Sequence, residues 1–360
     1  MNDSSTRWVV SKSSGKWVDP RLVGRSKPSE NRNPLVSIIV PARNEEMNLG
    51  DCLQSLISQA GVTREVIVVD DGSTDGTRQI AESFLGVKIV EAGPLEEGWT
   101  GKNNALRAGV SKARGAWLLF TDADTVHLPG SLARAVAEAT RENADLLSYS
   151  PEQIVESFAE RIVMPMVFAE LAVEYPPARV RNQESGVVAA NGQYILVRRK
   201  AYDYIHGHLP IAGEILEDVA LAKAFRRAGL RVYFRYGGDA VRTRMYRNWA
   251  QLREGWTKNL ALLFPHPVRR ALRLTSWWLL AWITVPVPIL GFELFSRIER
   301  AHFHWRNTLL AALFGVPVFS YLLFRSRQAH ARGAVSWKGR TYLRPPKNSF
   351  AEYRKLGTDN

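Results

Sequence analysis

The sequence is nearly free of cysteine. Cys52 is alone among 360 residues, which excludes an intramolecular disulfide framework and any cysteine-cluster zinc or iron–sulfur site, and fits a reducing compartment. No apolar stretch follows Met1, so no secretory signal peptide is expected. Residues 1–33, polar and scattered with Ser, Gly and Pro, read as a loose leader. Two familiar phosphate-binding fingerprints are missing as well. Gly-x-x-x-x-Gly-Lys-Ser/Thr fails at Gly101-Lys102, where Glu96 stands for the first Gly and Asn103 follows the Lys, and no Gly-x-Gly-x-x-Gly follows the first strand. A nucleotide, if bound, is held by another device.

With 46% hydrophobic and 23% charged residues the chain is too rich in core-forming side chains for disorder. Its net charge of +13 is unevenly placed. Residues 34–225 carry 17 basic and 26 acidic side chains, a net of −9, whereas 226–273 carry 12 and 2, a net of +10, and 325–360 a net of +7. Nucleic-acid binding is the reflex reading of such a balance. The acidic body speaks against it, and the basic blocks flank two apolar runs, which points to a membrane surface.

Leu274–Ser296 holds 23 residues with one charge, Glu293; as a helix it reaches about 34 Å, enough for a hydrocarbon core of about 30 Å. Pro286 and Pro288 kink it without forbidding it. Thr308–Phe324 adds 17 uncharged residues. Trp277, Trp278, Trp282 and Trp305 suit an interfacial belt, so a two-helix membrane hairpin (274–324) is expected, with both outer ends in the cytosol. A buried soluble hairpin is the competing reading.

Leu35–Val40 and Glu65–Val69 are apolar runs of strand length, each ending in polar residues, with Val87–Val90 and Ala116–Phe120 to follow. Helical spacing fills the gaps. Asn44–Ser58, with Asn44 as a plausible cap, a helix through Phe84 capped by Thr74 or Asp75, and Lys102–Ala113 all fit. Alternation of this kind implies an α/β fold with a mostly parallel sheet and ligands at the carboxyl edge of its strands. Asp122-Ala123-Asp124 falls at that edge. Two carboxylates one residue apart, with no Cys near, suit a hard cation such as Mg²⁺ or Mn²⁺, although a solvated turn explains many such pairs. His206-x-His208 lacks a third ligand and reads as surface hydrogen bonding. Arg161–Tyr175 is apolar nearly all round, a core helix or a membrane-dipping gate.

Pro41-Ala42-Arg43-Asn44-Glu45, Val69-Asp70-Asp71-Gly72-Ser73-Thr74-Asp75, Asp122-Ala123-Asp124 and Leu216-Glu217-Asp218 together resemble a family 2 glycosyltransferase of the GT-A fold, over about residues 34–260. Gly98-Trp99-Thr100-Gly101-Lys102, Asn191-Gly192-Gln193, Ala201-Tyr202 and Trp337-Lys338-Gly339-Arg340 are similar to the membrane-anchored, lipid-modifying branch: hopene-associated and carotenoid glycosyltransferases and, more distantly, ceramide glucosyltransferases. The resemblance implies that Pro41, Ala42, Arg43, Glu45, Asp70, Asp71, Lys102 and Asp122 hold a UDP-sugar. It also implies that Asp122 and Asp124 hold Mg²⁺ or Mn²⁺. Asp218, beside Glu217 at a helix N-terminus, is then the general base for an acceptor hydroxyl, with inversion at the anomeric carbon. The bland alternative for Glu217-Asp218 is a pairing with the helix dipole.

One departure stands out. Related synthases carry Arg-Trp after the base, and here Gly255 precedes Trp256, so that Arg253 or Lys258 is left to steady the leaving diphosphate. His208 is a candidate support for the acceptor pocket. The expected organisation is a leader (1–33), a GT-A domain (34–245), a basic interfacial helix (246–273), the membrane hairpin (274–324) and a basic cytosolic tail (325–360). The expected function is transfer from a UDP-sugar to a membrane lipid hydroxyl at the cytosolic face. A non-catalytic membrane scaffold and a processive polysaccharide synthase subunit are the rivals; two spanning helices are too few to line the latter's channel.

Overall fold

The computed structural model describes residues 9–10, 17–18, 35–283, 288–337 and 339–343. The chain divides into residues 1–33 and 34–360. In the first unit Val9–Val10 pairs antiparallel with Trp17–Val18; the rest of the expected leader lies outside the described residues.

In the second unit seven strands form one sheet: β1 (Val36–Ala42), β2 (Arg64–Asp70), β3 (Val87–Glu91), β4 (Trp117–Phe120), β5 (Leu146–Ser150), β6 (Ile195–Arg198) and β7 (Val232–Tyr236), in the order β7-β5-β6-β4-β1-β2-β3. Only β6 runs antiparallel to its neighbours β4 and β5. The apolar runs read as strands because both faces are covered. Ile38 and Val40 enter one core while Ile39 enters the other, and Val68 and Val69 divide in the same way. Helices α1 (Leu49–Ile57), α2 (Thr77–Glu82), α3 (Gly101–Lys112) and α4 (Ser131–Arg141) connect the front of the sheet.

Asn44 does not cap α1, which starts five residues later behind Asn48. Its backbone is left-handed at φ 53°, and its Oδ1 accepts from the Thr74 N–H at 2.9 Å. The residue therefore stitches together the loops that leave β1 and β2. Neither Thr74 nor Asp75 caps α2, whose N-cap is Gly76; Asp75 instead closes the turn before it, accepting from the Thr77 N–H at 3.0 Å.

Beyond the sheet lie α5 (Phe158–Glu174), α6 (Glu217–Arg227), α7 (Trp249–Leu263), α8 (Pro267–Ile283), α9 (Pro288–Glu299) and α10 (Trp305–Ala331), the last with a π-helical turn at Ala311–Gly315. α5 is a core helix: Val163, Met166 and Val167 are fully buried with the inner faces of α7 to α10.

The two-helix membrane hairpin expected over 274–324 is not supported by the described residues. Arg270, in the first turn of α8, donates to Glu170 of α5 at 2.6 Å, and Arg297, in the last turn of α9, donates to the other oxygen of that carboxylate at 2.7 Å. The apolar run therefore leaves and returns to one buried side chain, whereas a spanning helix holds its ends about 30 Å apart. Among the described residues one helix, α10, is long and apolar enough to cross a membrane. The kink assigned to Pro286 falls at residues 284–287, outside the described residues.

Candidate active site

A cleft of about 400 Å³ opens at the carboxyl edge of β1, β2 and β4. β1 delivers Pro41, Ala42, Arg43 and Glu45 to it, and the turn after β2 delivers Asp71. Asp70 is not in the lining. Its Oδ1 accepts from the Ser73 N–H at 2.9 Å and shapes that turn instead. The Arg43 guanidinium donates to the Asp71 carbonyl at 2.6 Å and ties the two strand ends together.

Lys102 enters from the first turn of α3, whose N-terminus Thr100 caps by accepting from the Asn103 N–H. Its Nζ lies 2.6 Å from Asp122 and 2.6 Å from Glu217. Burial disfavours the Lys102 cation, but the two carboxylates more than offset this and hold its pKa well above the usual range. Burial pushes Glu217 upward too, yet Lys102 outweighs it and Glu217 ends below its ordinary value. Asp122 is raised, burial being the main cause.

Asp218 opens α6 beside Glu217. Its two oxygens accept from the Gly192 N–H at 2.9 Å and its neighbour Val219 N–H at 2.7 Å. Burial, reinforced by the Glu217 charge, pushes its carboxyl up to about 6. Asp122 and Asp124 both line the cleft. A network behind them fixes their turn: the Thr125 hydroxyl donates to the Asp122 carbonyl at 2.6 Å, and Thr121 Oγ1 lies 2.8 Å from Thr125 Oγ1 and 3.0 Å from His127 Nε2.

The far wall is apolar. Phe168 and Leu171 of α5, Tyr236 at the end of β7, Met245 and Phe303 line it. His302 stacks on Tyr236 at 4.2 Å and holds a left-handed backbone at φ 64°. A non-glycine residue there stores strain, a frequent mark of a binding site.

From α7, Trp256 and Lys258 line the cleft and Arg253 does not. Trp256 is 2% exposed, edge-on to Phe168 and Tyr246. Burial lowers the Lys258 pKa. Gly255 has a steric reason: a Cβ there meets the Tyr246 ring at 2.5 Å, so no arginine fits. His208 is set further back. It lies outside the cleft lining, buried behind Lys102 and Glu217, with Nδ1 2.6 Å from the Tyr202 hydroxyl and its pKa lowered by burial to about 4.

Arg340 went unpredicted as a site residue. It lies on a C-terminal strand, Arg340–Leu343, paired with Ala334–Trp337, and its guanidinium binds both oxygens of Asp71, one at 3.0 Å. Gly101 leaves room for it, since a Cβ at that position collides with the guanidinium. The signal was its place in Trp337-Lys338-Gly339-Arg340, read in sequence as part of a tail.

The acidic strand-end motifs and the cationic α3 N-terminus thus meet at the carboxyl edge of one mostly parallel α/β sheet. Residues 37–205 match the family model described as Glycosyl transferase family 2. The chain is 29% identical over 353 residues to 4,4'-diaponeurosporenoate glycosyltransferase of Staphylococcus aureus (strain USA300), a match spanning 88% of this chain and 91% of the relative. Similar solved structures include the mannosyltransferase PcManGT from Pyrobaculum calidifontis with GDP-Man and Mn2+ (TM-score 0.42, 19% identity, 94% of this chain and 84% of that one). S. aureus TarS 1-349 in complex with UDP is another (TM-score 0.44, 17% identity, 87% and 97%). Likeness at this level assigns no residue role.

Proposed function

We propose that this chain transfers a sugar, with inversion, from a UDP-sugar to the hydroxyl of a membrane lipid of carotenoid or hopanoid type, at the cytosolic face. The observation that carries the reading is the meeting, in one cleft, of the Asp122–Lys102–Glu217 cluster, the raised Asp218 carboxyl and a long apolar wall. A soluble sugar acceptor has no use for such a wall, whereas a lipid tail does.

Asp71 and the loop after β1 accept the uracil and ribose donors. Asp122 and Asp124 suit Mg²⁺ or Mn²⁺ as a resident cation, because an oxygen-only pair of carboxylates in a cleft is what such ions use alongside substrate phosphates. Among the described residues no group of three or more His, Cys, Asp or Glu is placed to hold a metal ion by itself. The bound cation supplies charge to offset the diphosphate. Lys102 and Lys258 supply fixed positive charge to the same end of the cleft. Asp218, held ionised by two backbone N–H groups and the α6 N-terminus, takes the acceptor's proton as its oxygen attacks the anomeric carbon.

A second reading has a specific support. Arg300 and His302 line the apolar end, and the relative from S. aureus is named for a carboxylate, diaponeurosporenoate. A carboxylate acceptor is already ionised at neutral pH and needs no base. The test is incubation of membranes holding the protein with radiolabelled UDP-sugars, followed by resolution of the lipid extract. Label in a lipid that is lost in Asp218→Asn supports the hydroxyl acceptor; label that survives supports the carboxylate. No lipid label and no UDP release overturns both and favours a non-catalytic scaffold, and label in polymer instead favours a processive synthase.

A further inference from the structure

Both arms of the α8–α9 pair start and finish on the cleft side. Leu263, four residues before α8, and Arg300, one residue after α9, line the cleft. Arg270 and Arg297 then clamp the two bases to Glu170, which is fully buried. α10 is held along its whole length by the same body. Gly315 packs on the Ile162 carbonyl of α5, the Ser326 hydroxyl accepts from the Ala261 N–H at 2.8 Å, and His330 Nε2 meets the Lys258 carbonyl at 2.8 Å.

What these helices leave uncovered is apolar. Ten of the 21 exposed large apolar side chains among the described residues fall between 262 and 324, far above that segment's share of the chain. On α8 they follow one helical face, Leu272, Leu279 and Leu280, while Ala271 and Leu274 face inward. On α10, Phe314, Tyr321 and Phe324 repeat the pattern opposite buried Val316, Phe319 and Leu323. Phe292 on α9 is 71% exposed. Exposed cations flank these apolar stripes: Arg269 and Arg273 on α8, Arg306 and Arg325 on α10. Between Leu274 and Ser296 the sequence has no cation at all.

We infer that α8 and α9 form a re-entrant wedge inserted into a single leaflet of an anionic bilayer from the side of the cleft, and that 267–331 does not cross that bilayer. The lengths agree. The twelve residues of α9 reach about 18 Å, too short to cross a hydrocarbon core of about 30 Å, and a tilted helix of that length stays within one leaflet. The apolar stripes meet acyl chains, and the cations that flank them meet anionic headgroups. The wedge also explains how a poorly soluble acceptor reaches Phe303 and Leu171 without entering water. This attachment rests on the proposal of a lipid acceptor only for its purpose, and its tests need no sugar transfer.

Cys52 is fully buried, so an impermeant maleimide gives a silent wild-type background. Glu299→Cys, at the end of α9, and Glu97→Cys, on the exposed surface of the α/β body, are each labelled in sealed vesicles of known orientation. Labelling of both from one face supports the wedge; labelling of Glu299→Cys from the opposite face overturns it. Flotation with vesicles of phosphatidylcholine and phosphatidylglycerol gives a second, independent readout. Wild type floats, and Leu279→Glu/Leu280→Glu floats at least about tenfold less while its circular dichroism is unchanged, because both side chains already face outward. Unchanged flotation of that variant overturns the proposal, as does a wild type that ignores vesicles and buries the same face in a dimer.

Discussion

The two halves of this molecule place their functional residues by opposite means. In the acidic α/β body the charged cleft residues lie within a few positions of a strand end or helix start: Asp71 after β2, Asp122 after β4, Lys102 in the first turn of α3, Asp218 in the first turn of α6. In the basic helical half the cleft residues, Lys258, His302 and Arg340, come from the middle of a helix, a loop between apolar runs and a C-terminal strand. Local pattern governs the first half and long-range packing the second. A residue in the body is therefore read from its neighbours in sequence, and a residue in the helical half only from its neighbours in space.

The comparison breaks most visibly at Asp218. If the body carries the chemistry, Asp218→Asn lowers kcat/KM by about 10²–10⁴ while leaving donor KM nearly unchanged. In wild type, kcat/KM falls as pH drops through about 6, because protonation removes the base, and a pH–rate profile checks this. Stability moves the other way. Burial holds the folded carboxyl at about 6, above the ordinary 3.8 of a free aspartate, so its contribution is full below 3.8 and is lost as pH rises through 6. At pH 7 Asp218→Asn is then more stable than wild type by roughly 1–2 kcal/mol in urea denaturation.

Lys102→Met comes next. It strands Asp122 and Glu217 together, and activity drops about 10²–10³ with a loss of roughly 1–3 kcal/mol in stability, discounted because a third of the Lys102 side chain meets solvent. Denaturant titration beside steady-state kinetics separates the two effects.

Glu170→Gln tests the other half. It leaves Arg270 and Arg297 without their shared anion and costs about 3 kcal/mol, read as a lower urea midpoint and faster proteolysis within α8 and α9. If the helical half merely decorates the body, sugar transfer by the folded fraction is untouched; if it builds the acceptor wall, acceptor KM rises while donor KM holds.

How much of this was legible follows the same division. Four of the seven strands follow from runs such as Ile38–Val40, buried on both faces, and the DxD position from its place just past β4, whereas β5, β6 and β7 have no such reading in the sequence. The failures are tertiary. Twenty-three nearly uncharged residues have the composition of a spanning helix, and nothing local reveals that Arg270 and Arg297, 27 positions apart, share Glu170. Asn44 resembles a cap, but a loop 30 residues away claims its side chain. Arg340 is 269 positions from Asp71, beyond the reach of any spacing rule.

Arg340→Ala and Lys258→Met extend the comparison to single cations delivered by packing. Each raises donor KM about tenfold with a smaller change in kcat, as expected when a charge-assisted contact to a bound diphosphate or its anchoring carboxylate is removed.

The smallest expected effect is the sharpest discriminator. Arg253 and Lys258 are five residues apart on α7, both cationic, and equally placed in sequence to replace the arginine that Gly255 lacks. One helical turn plus a residue rotates them by about 140°, and only Lys258 faces the cleft. Arg253→Ala therefore changes kcat/KM by less than about twofold, since a half-buried cation outside the cleft does not reach the leaving group. A loss matching that of Lys258→Met, measured with the same donor and acceptor, would place the leaving-group charge on the wrong face of α7.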